Sequence, residues 1–230
     1  MKTPLDRLYD QTSTRAREAW ASAADSGEIR TEARYDRDKF ALATGIMPPV
    51  SAPVRDLLLE LHALAQGDAL ADSMPLNGLH FTFLAISGPV YAQPARPAHY
   101  ATLAAAFQAI TPHQVTIRNL RLVALADQIL LAGIPDELSL RRRQTFTDRL
   151  LSGEWQDPLK KRYGNLPLPP PFWHSTLLRY ETTRLPLPFR AFFERHCGRD
   201  LGEVSAPLAL AMVNYNWTMV TVLEGGMPGR

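Results

Sequence analysis

Two stretches of this 230-residue chain repeat one another, and the repeat narrows the folds open to it. The run Leu79-His80-Phe81-Thr82-Phe83-Leu84-Ala85-Ile86 is rich in aromatic and apolar residues and stops at Ser87-Gly88-Pro89, as a strand does. Residues 172–180, which contain His174-Ser175-Thr176, have the same character. After the first run, residues 98–110 place Leu103, Phe107 and Ile110 on one helical stripe, and residues 115–134 read as two strands turning near Asp127. After the second, Phe189, Phe192, Phe193 and His196 mark a short helix ended by Gly198, and residues 204–223 read as a hairpin turning around Asn214 to Asn216. The order is strand, helix, hairpin in both cases, with the histidines 94 residues apart. One His-x-Thr arises easily by chance, whereas two at equivalent places in a repeated pattern point to internal duplication.

The remaining segments fit around this repeat. Leu5, Leu8, Tyr9, Thr12, Ala16, Ala19, Trp20 and Ala23 recur at three- and four-residue spacing and predict an amphipathic helix packed on the rest. Residues 39–46 read as a strand stopped by Pro48-Pro49. Ser51 and Pro53 start a second helix whose inward face is Val54, Leu57, Leu58, Leu61 and Leu64. Residues 66–78 read as a polar loop. Asp136 caps a helix expected to carry Leu138, Phe146 and Leu150 inward, and residues 154–172 read as a long loop that borders the cleft or acts as a stiff Pro-rich spacer.

Composition sets few further bounds. A hydrophobic fraction of 46% with 21% charged residues is ordinary for a globular chain, and a net charge of +2 allows a nucleotide substrate without predicting one. Cys197 is the single cysteine, which excludes an intrachain disulfide. No apolar signal-type run occurs in residues 1–20, and the apolar stretch 206–223 is interrupted by Pro207, Asn214 and Asn216. The expectation is a cytoplasmic monomer with no membrane span.

Side chains alternate faces along a strand, so His80 with Thr82, and His174 with Thr176, each share a face. If the halves pack about a pseudo-twofold axis, the four converge on one cleft. Two imidazoles titrating near neutrality supply a base and an acid, and two hydroxyls donate to phosphate oxygens. These are the parts needed to cleave a phosphodiester, and either histidine can take either role.

At these residues the chain resembles the 2H phosphoesterases, named for paired His-x-Thr/Ser motifs on a duplicated fold. The match covers Leu79-His80-Phe81-Thr82-Phe83-Leu84, Trp173-His174-Ser175-Thr176-Leu177-Leu178 and the order of elements over residues 39–223. The resemblance implies an α+β, duplicated bilobal fold: two pseudo-twofold-related antiparallel sheets, helices outside and a central cleft. Residues 1–38 would form an N-terminal helical extension to a bilobal domain at 39–230, with motif lobes at about 79–135 and 172–224. It further implies a metal-independent phosphodiesterase without cofactors, acting on a 2′,3′-cyclic phosphate, an RNA end or a related nucleotide phosphodiester. His80, Thr82, His174 and Thr176 would be catalytic, with Thr82 and Thr176 binding the substrate. Two departures stand out, the helix before Lys39 and Trp173 where proline is common.

Other readings remain in view. A nucleotide- or RNA-binding module would keep the cleft without turnover, and a scaffold would use the surface instead. His62, His99, His113 and His196 lack a matching threonine and read as structural or solvent-facing, and no zinc-type spacing occurs. Arg141-Arg142-Arg143 and Lys160-Lys161-Arg162 read as a solvated helix face and a solvated loop, with secondary phosphate contact as the alternative. Tyr91, Tyr180, Tyr215 and Trp217 are assigned to packing, as is Cys197.

Overall fold

The computed structural model describes residues 2–22 and 25–226; Ala23 of the predicted N-terminal helix lies outside them. The fold is α+β, with two antiparallel sheets and six α-helices among the described residues.

Helix α1 (Pro4–Ala21) starts where Thr3 and Asp6 cap each other: the Asp6 amide donates to Thr3 Oγ1 at 3.1 Å and the Thr3 amide to Asp6 Oδ2 at 2.7 Å. Its inward stripe is Tyr9, Ser13, Ala16 and Trp20. Strand β1 (Ala41–Ile46) leads to α2 (Ala52–Ala65), which begins after Ser51 and buries Val54, Leu57, Leu58 and Leu61. The expected loop at 66–78 instead contains a short strand, β2 (Ala71–Ser73), and a 3-10 turn at Leu76–Gly78. Next come β3 (Phe81–Ala85), α3 (Tyr100–Gln108), and the hairpin β4 (Gln114–Leu125) and β5 (Gln128–Pro135).

Helix α4 (Glu137–Leu151) is capped by Asp136, whose Oδ1 accepts the Ser139 amide at 2.6 Å. Phe146 and Leu150 are buried, but Leu138 is 45% exposed, a correction to the expected inward face. The buried stripe runs through Ser139, Arg142, Arg143, Phe146 and Leu150, so two arginines of the basic run lie inside. Burial is tolerated because their heads meet carbonyls: Arg142 donates to Gln114 O at 2.9 Å and Arg143 to Phe172 O at 3.1 Å. The expected loop at 154–172 is likewise corrected, since α5 (Gln156–Tyr163) occupies its first half and carries Lys160-Lys161-Arg162 in its last turn.

Strand β6 (His174–Tyr180) and helix α6 (Leu187–His196) follow. Residues 204–223, expected as one hairpin, form three strands: β7 (Val204–Pro207), β8 (Ala209–Val213) and β9 (Val220–Gly225). The chain changes sheet at Leu208, because β7 pairs with β4 whereas β8 pairs with β1.

One sheet has the order β3-β1-β8-β9 and the other β2-β6-β5-β4-β7, so each draws strands from both halves of the sequence. A continuous apolar cluster fills the molecule, and β3 and β6 approach each other across it. Helix α1 lies on β4 and β5, tied down by polar anchors. Trp20 Nε1 donates to Ala126 O at 2.7 Å, the Ala124 amide to Ser13 Oγ at 3.2 Å, and the Tyr9 hydroxyl to Gly133 O at 3.0 Å. No described helix is long and apolar enough to cross a membrane.

Candidate active site

Both motif strands bulge at the same step. In β3, Gly45 of β1 pairs with Thr82 and Thr44 with Leu84, leaving Phe83 unmatched. In β6, Leu130 of β5 pairs with Thr176 and Ile129 with Leu178, leaving Leu177 unmatched. Each extra residue lies three positions after its histidine and resets the alternation of faces. His174, Thr176 and Arg179 therefore share one face, as do Thr82 and Ala85. The extra residue converts a three-residue spacing, which would put Arg179 on the opposite side of a regular strand, into a same-side one.

His80, expected within the strand, sits one residue before β3. It is fixed by other means. Its Nδ1 lies 2.8 Å from Gly78 O, and its ring stacks on Trp217 with centroids 4.8 Å apart and planes within 9°. Trp217 occupies the β8–β9 turn at φ 55°, a left-handed conformation that costs a residue with a side chain about 1–2 kcal/mol. Gly45 makes room for it: a Cβ there would lie 2.5 Å from Trp217 Cη2 and 2.7 Å from Phe81 O. His174 opens β6 opposite Ala132 and meets Phe172 edge-on at 5.8 Å.

His80, Thr82, His174 and Thr176 line a single cavity of about 250 Å³. Among the described residues, neither threonine hydroxyl is taken up by another protein group, so both are free to meet a ligand. The cavity also receives Arg162 and Arg179, but among the described residues no Asp, Glu or Cys lines it. Arg179 is buried, with 7% exposure. It donates to Asn216 Oδ1 at 3.2 Å, lies 3.8 Å from Asp72, and has the rings of Tyr35 and Tyr215 at 5.5 and 5.1 Å. Tyr215 and Trp217, read from the sequence as packing residues, are thus on the cavity wall, whereas Tyr91 and Tyr180 are not. The remaining histidines lie elsewhere: His62 meets Met74 O, His99 Glu154, His113 Phe107 O and His196 Glu60.

The cavity holds its imidazoles neutral. Burial pushes His80 down to about 3; its bond to Gly78 opposes this, and the charge of Arg179, together with that of His174 once protonated, reinforces it. His174 is held at about 4, first by burial and then by Arg179 and Arg143. Arg143 lies beneath the strand entrance with its guanidinium 3.9 Å from the Trp173 ring. A carbonyl only accepts, so neutral His80 carries its proton on Nδ1 and leaves the Nε2 lone pair available. The site therefore offers one oriented base, a second imidazole, two free hydroxyls and two guanidiniums, a set suited to an anionic ligand that exchanges protons.

Arg179 was missed by sequence reasoning because its place on the site face depends on the bulge at Leu177. Tyr35 was missed because it lies in an irregular segment with no periodic signal. No family model matches the chain, and no curated protein matches it.

Proposed function

We propose that the protein is a metal-independent phosphodiesterase acting on a 2′,3′-cyclic phosphate, an RNA end or a related nucleotide phosphodiester. The observation that carries this is the meeting of both His-x-Thr motifs in one cavity with two arginines and, among the described residues, no carboxylate. A duplicated bilobal fold with a central cleft accounts for it, and the matching bulges at Phe83 and Leu177 support the duplication.

In this mechanism His80 Nε2 removes a proton from water as the water oxygen attacks phosphorus. The bond from phosphorus to the leaving ribose oxygen breaks, and protonated His174 gives that oxygen its proton. His174 suits the acid role because, unlike His80, it has no hydrogen bond to either ring nitrogen among the described residues and can take up a proton without breaking a contact. An anionic phosphate beside it offsets the charge of Arg179 and raises its proton affinity when substrate binds. Thr82 and Thr176 donate to the nonbridging oxygens, and Arg179 stabilises the growing negative charge. A divalent ion would find two imidazoles and two hydroxyls beside guanidiniums here, a poor donor set for one.

The test is turnover in EDTA on a panel of 2′,3′-cyclic nucleotides, cyclic dinucleotides and 3′-end-labelled RNAs, with products identified. Hydrolysis in EDTA supports the proposal. Tight binding without any turnover favours a nucleotide-binding module.

A further inference from the structure

A second cavity, of about 280 Å³, adjoins the first and shares Tyr35, Arg179 and Tyr215 with it. Its far wall comes from residues 29–37, part of the segment that precedes β1, which contributes Arg30, Arg34 and Arg37. We infer that this chamber binds a second anionic group of the substrate, so that the preferred substrate is a nucleotide phosphodiester carrying a further phosphate. The inference rests on the phosphodiester reading of the first cavity.

The arginines there are unequally neutralised. Arg30 and Arg34 share one carboxylate, Asp127, and Arg34 also approaches Glu181 at 3.9 Å. These contacts hold the wall together. Arg37 and Arg179 share Asp72, at 4.0 and 3.8 Å, distances too long for a direct hydrogen bond. Arg37 is also the more accessible of this pair, its side chain 65% exposed, and it lies over the Tyr215 ring at 5.2 Å. One tyrosine thus carries Arg179 of the first cavity and Arg37 of the second. An anion arriving at Arg37 gains a charge-assisted hydrogen bond and displaces only a weak ion pair. Arg34 Nε, buried and 3.9 Å from the Glu181 carboxylate, has no acceptor within hydrogen-bond distance. Glu32 and Glu181 also line the chamber and oppose an anion.

The experiment is calorimetric titration of the full chain with adenosine 3′-monophosphate and adenosine 3′,5′-bisphosphate. The wild type should bind the bisphosphate about tenfold more tightly, the scale of one charge-assisted hydrogen bond. That ratio should fall to near one in Arg37→Gln and rise in Glu32→Gln. A wild-type ratio near one, a ratio unchanged by Arg37→Gln, or failure of both ligands to bind would overturn the inference. Turnover of a 2′,3′-cyclic nucleotide is measured on the same preparations. An Arg37-dependent preference without turnover would keep the subsite and remove the phosphodiesterase reading; turnover without the preference would do the reverse.

Discussion

Acidification should destabilise this protein through its two cavity histidines. In the unfolded chain each titrates near its ordinary value of about 6.5. In the folded protein they are held down to about 3 and about 4. Between these limits the unfolded state binds more protons, so stability rises with pH and is lost as pH falls below about 6.5. At about pH 5 the unfolded chain gains about 2 kcal/mol per histidine from this difference. His174 keeps some contact with solvent, which reduces the combined loss from about 4 to about 3 kcal/mol. Urea unfolding at about pH 7.5 and about pH 5 measures the loss, and a His80→Gln/His174→Gln double variant provides the reference. Glutamine does not titrate, and at position 80 it still offers a donor for the Gly78 carbonyl. Carboxylates shifted elsewhere, such as Asp6 and Glu60, contribute equally to both proteins and cancel. The wild type should lose about 3 kcal/mol more than the double variant over this interval. Parallel losses would refute the claim that the cavity holds both imidazoles neutral.

Replacing either His80 or His174 by Ala should lower turnover by roughly two to four orders of magnitude, and the double variant should lose less than the product of the two, in steady-state assays of folded protein. Arg179→Met should raise the apparent KM by about tenfold or more and raise the titration midpoint of His174 in NMR, with Arg179→Lys restoring the charge effect better than the affinity. Thr82→Val and Thr176→Val keep the branched shape and remove the hydroxyl; a fall in kcat marks a bond strengthened in the transition state, whereas a rise in KM alone marks uniform binding. Gly45→Ala should displace Trp217 from His80, cost about 1–3 kcal/mol in urea unfolding and change the tryptophan fluorescence; an unaltered spectrum would count against the packing described.

Much of this arrangement was legible in residue order. Both motif strands, the β4–β5 hairpin turning at Asp127, the Asp136 cap and the buried stripe of α2 follow from periodicity and local start signals. The misreadings share a cause, which is tertiary context. Arg142 and Arg143 look solvated in a basic run, yet their stems lie under the chain and their heads reach the carbonyls of Gln114 and Phe172. Helix α5 was hidden by the proline-rich stretch beside it, although Trp155 and Leu159 supply a buried edge. The break at Leu208 follows Pro207, which signals an interruption of the apolar run but carries no sign that the next strand joins the other sheet. A bulge has no periodic signature either, so the site was legible as His80, Thr82, His174 and Thr176 but not as including Arg179.

The two histidines are supported by different parts of the chain, and this difference bears on their roles. His80 is clamped by a carbonyl two residues before it and by a tryptophan from the opposite end of the sequence, so its tautomer and ring plane are both set. His174 is supported through the backbone in front of it. The Trp173 amide donates to the Tyr9 hydroxyl at 3.1 Å, the same hydroxyl donates to Gly133 O, and Arg143 holds Phe172 O. Helix α1 is thereby tied to the strand that presents His174, although Tyr9 does not line the cavity. On the proposed mechanism this division is useful. A base must keep one lone pair aimed at the attacking water throughout the reaction, which the clamp on His80 provides. An acid must gain a proton as the anion arrives, and His174, with no hydrogen bond to either ring nitrogen among the described residues, can accept one without breaking an existing contact.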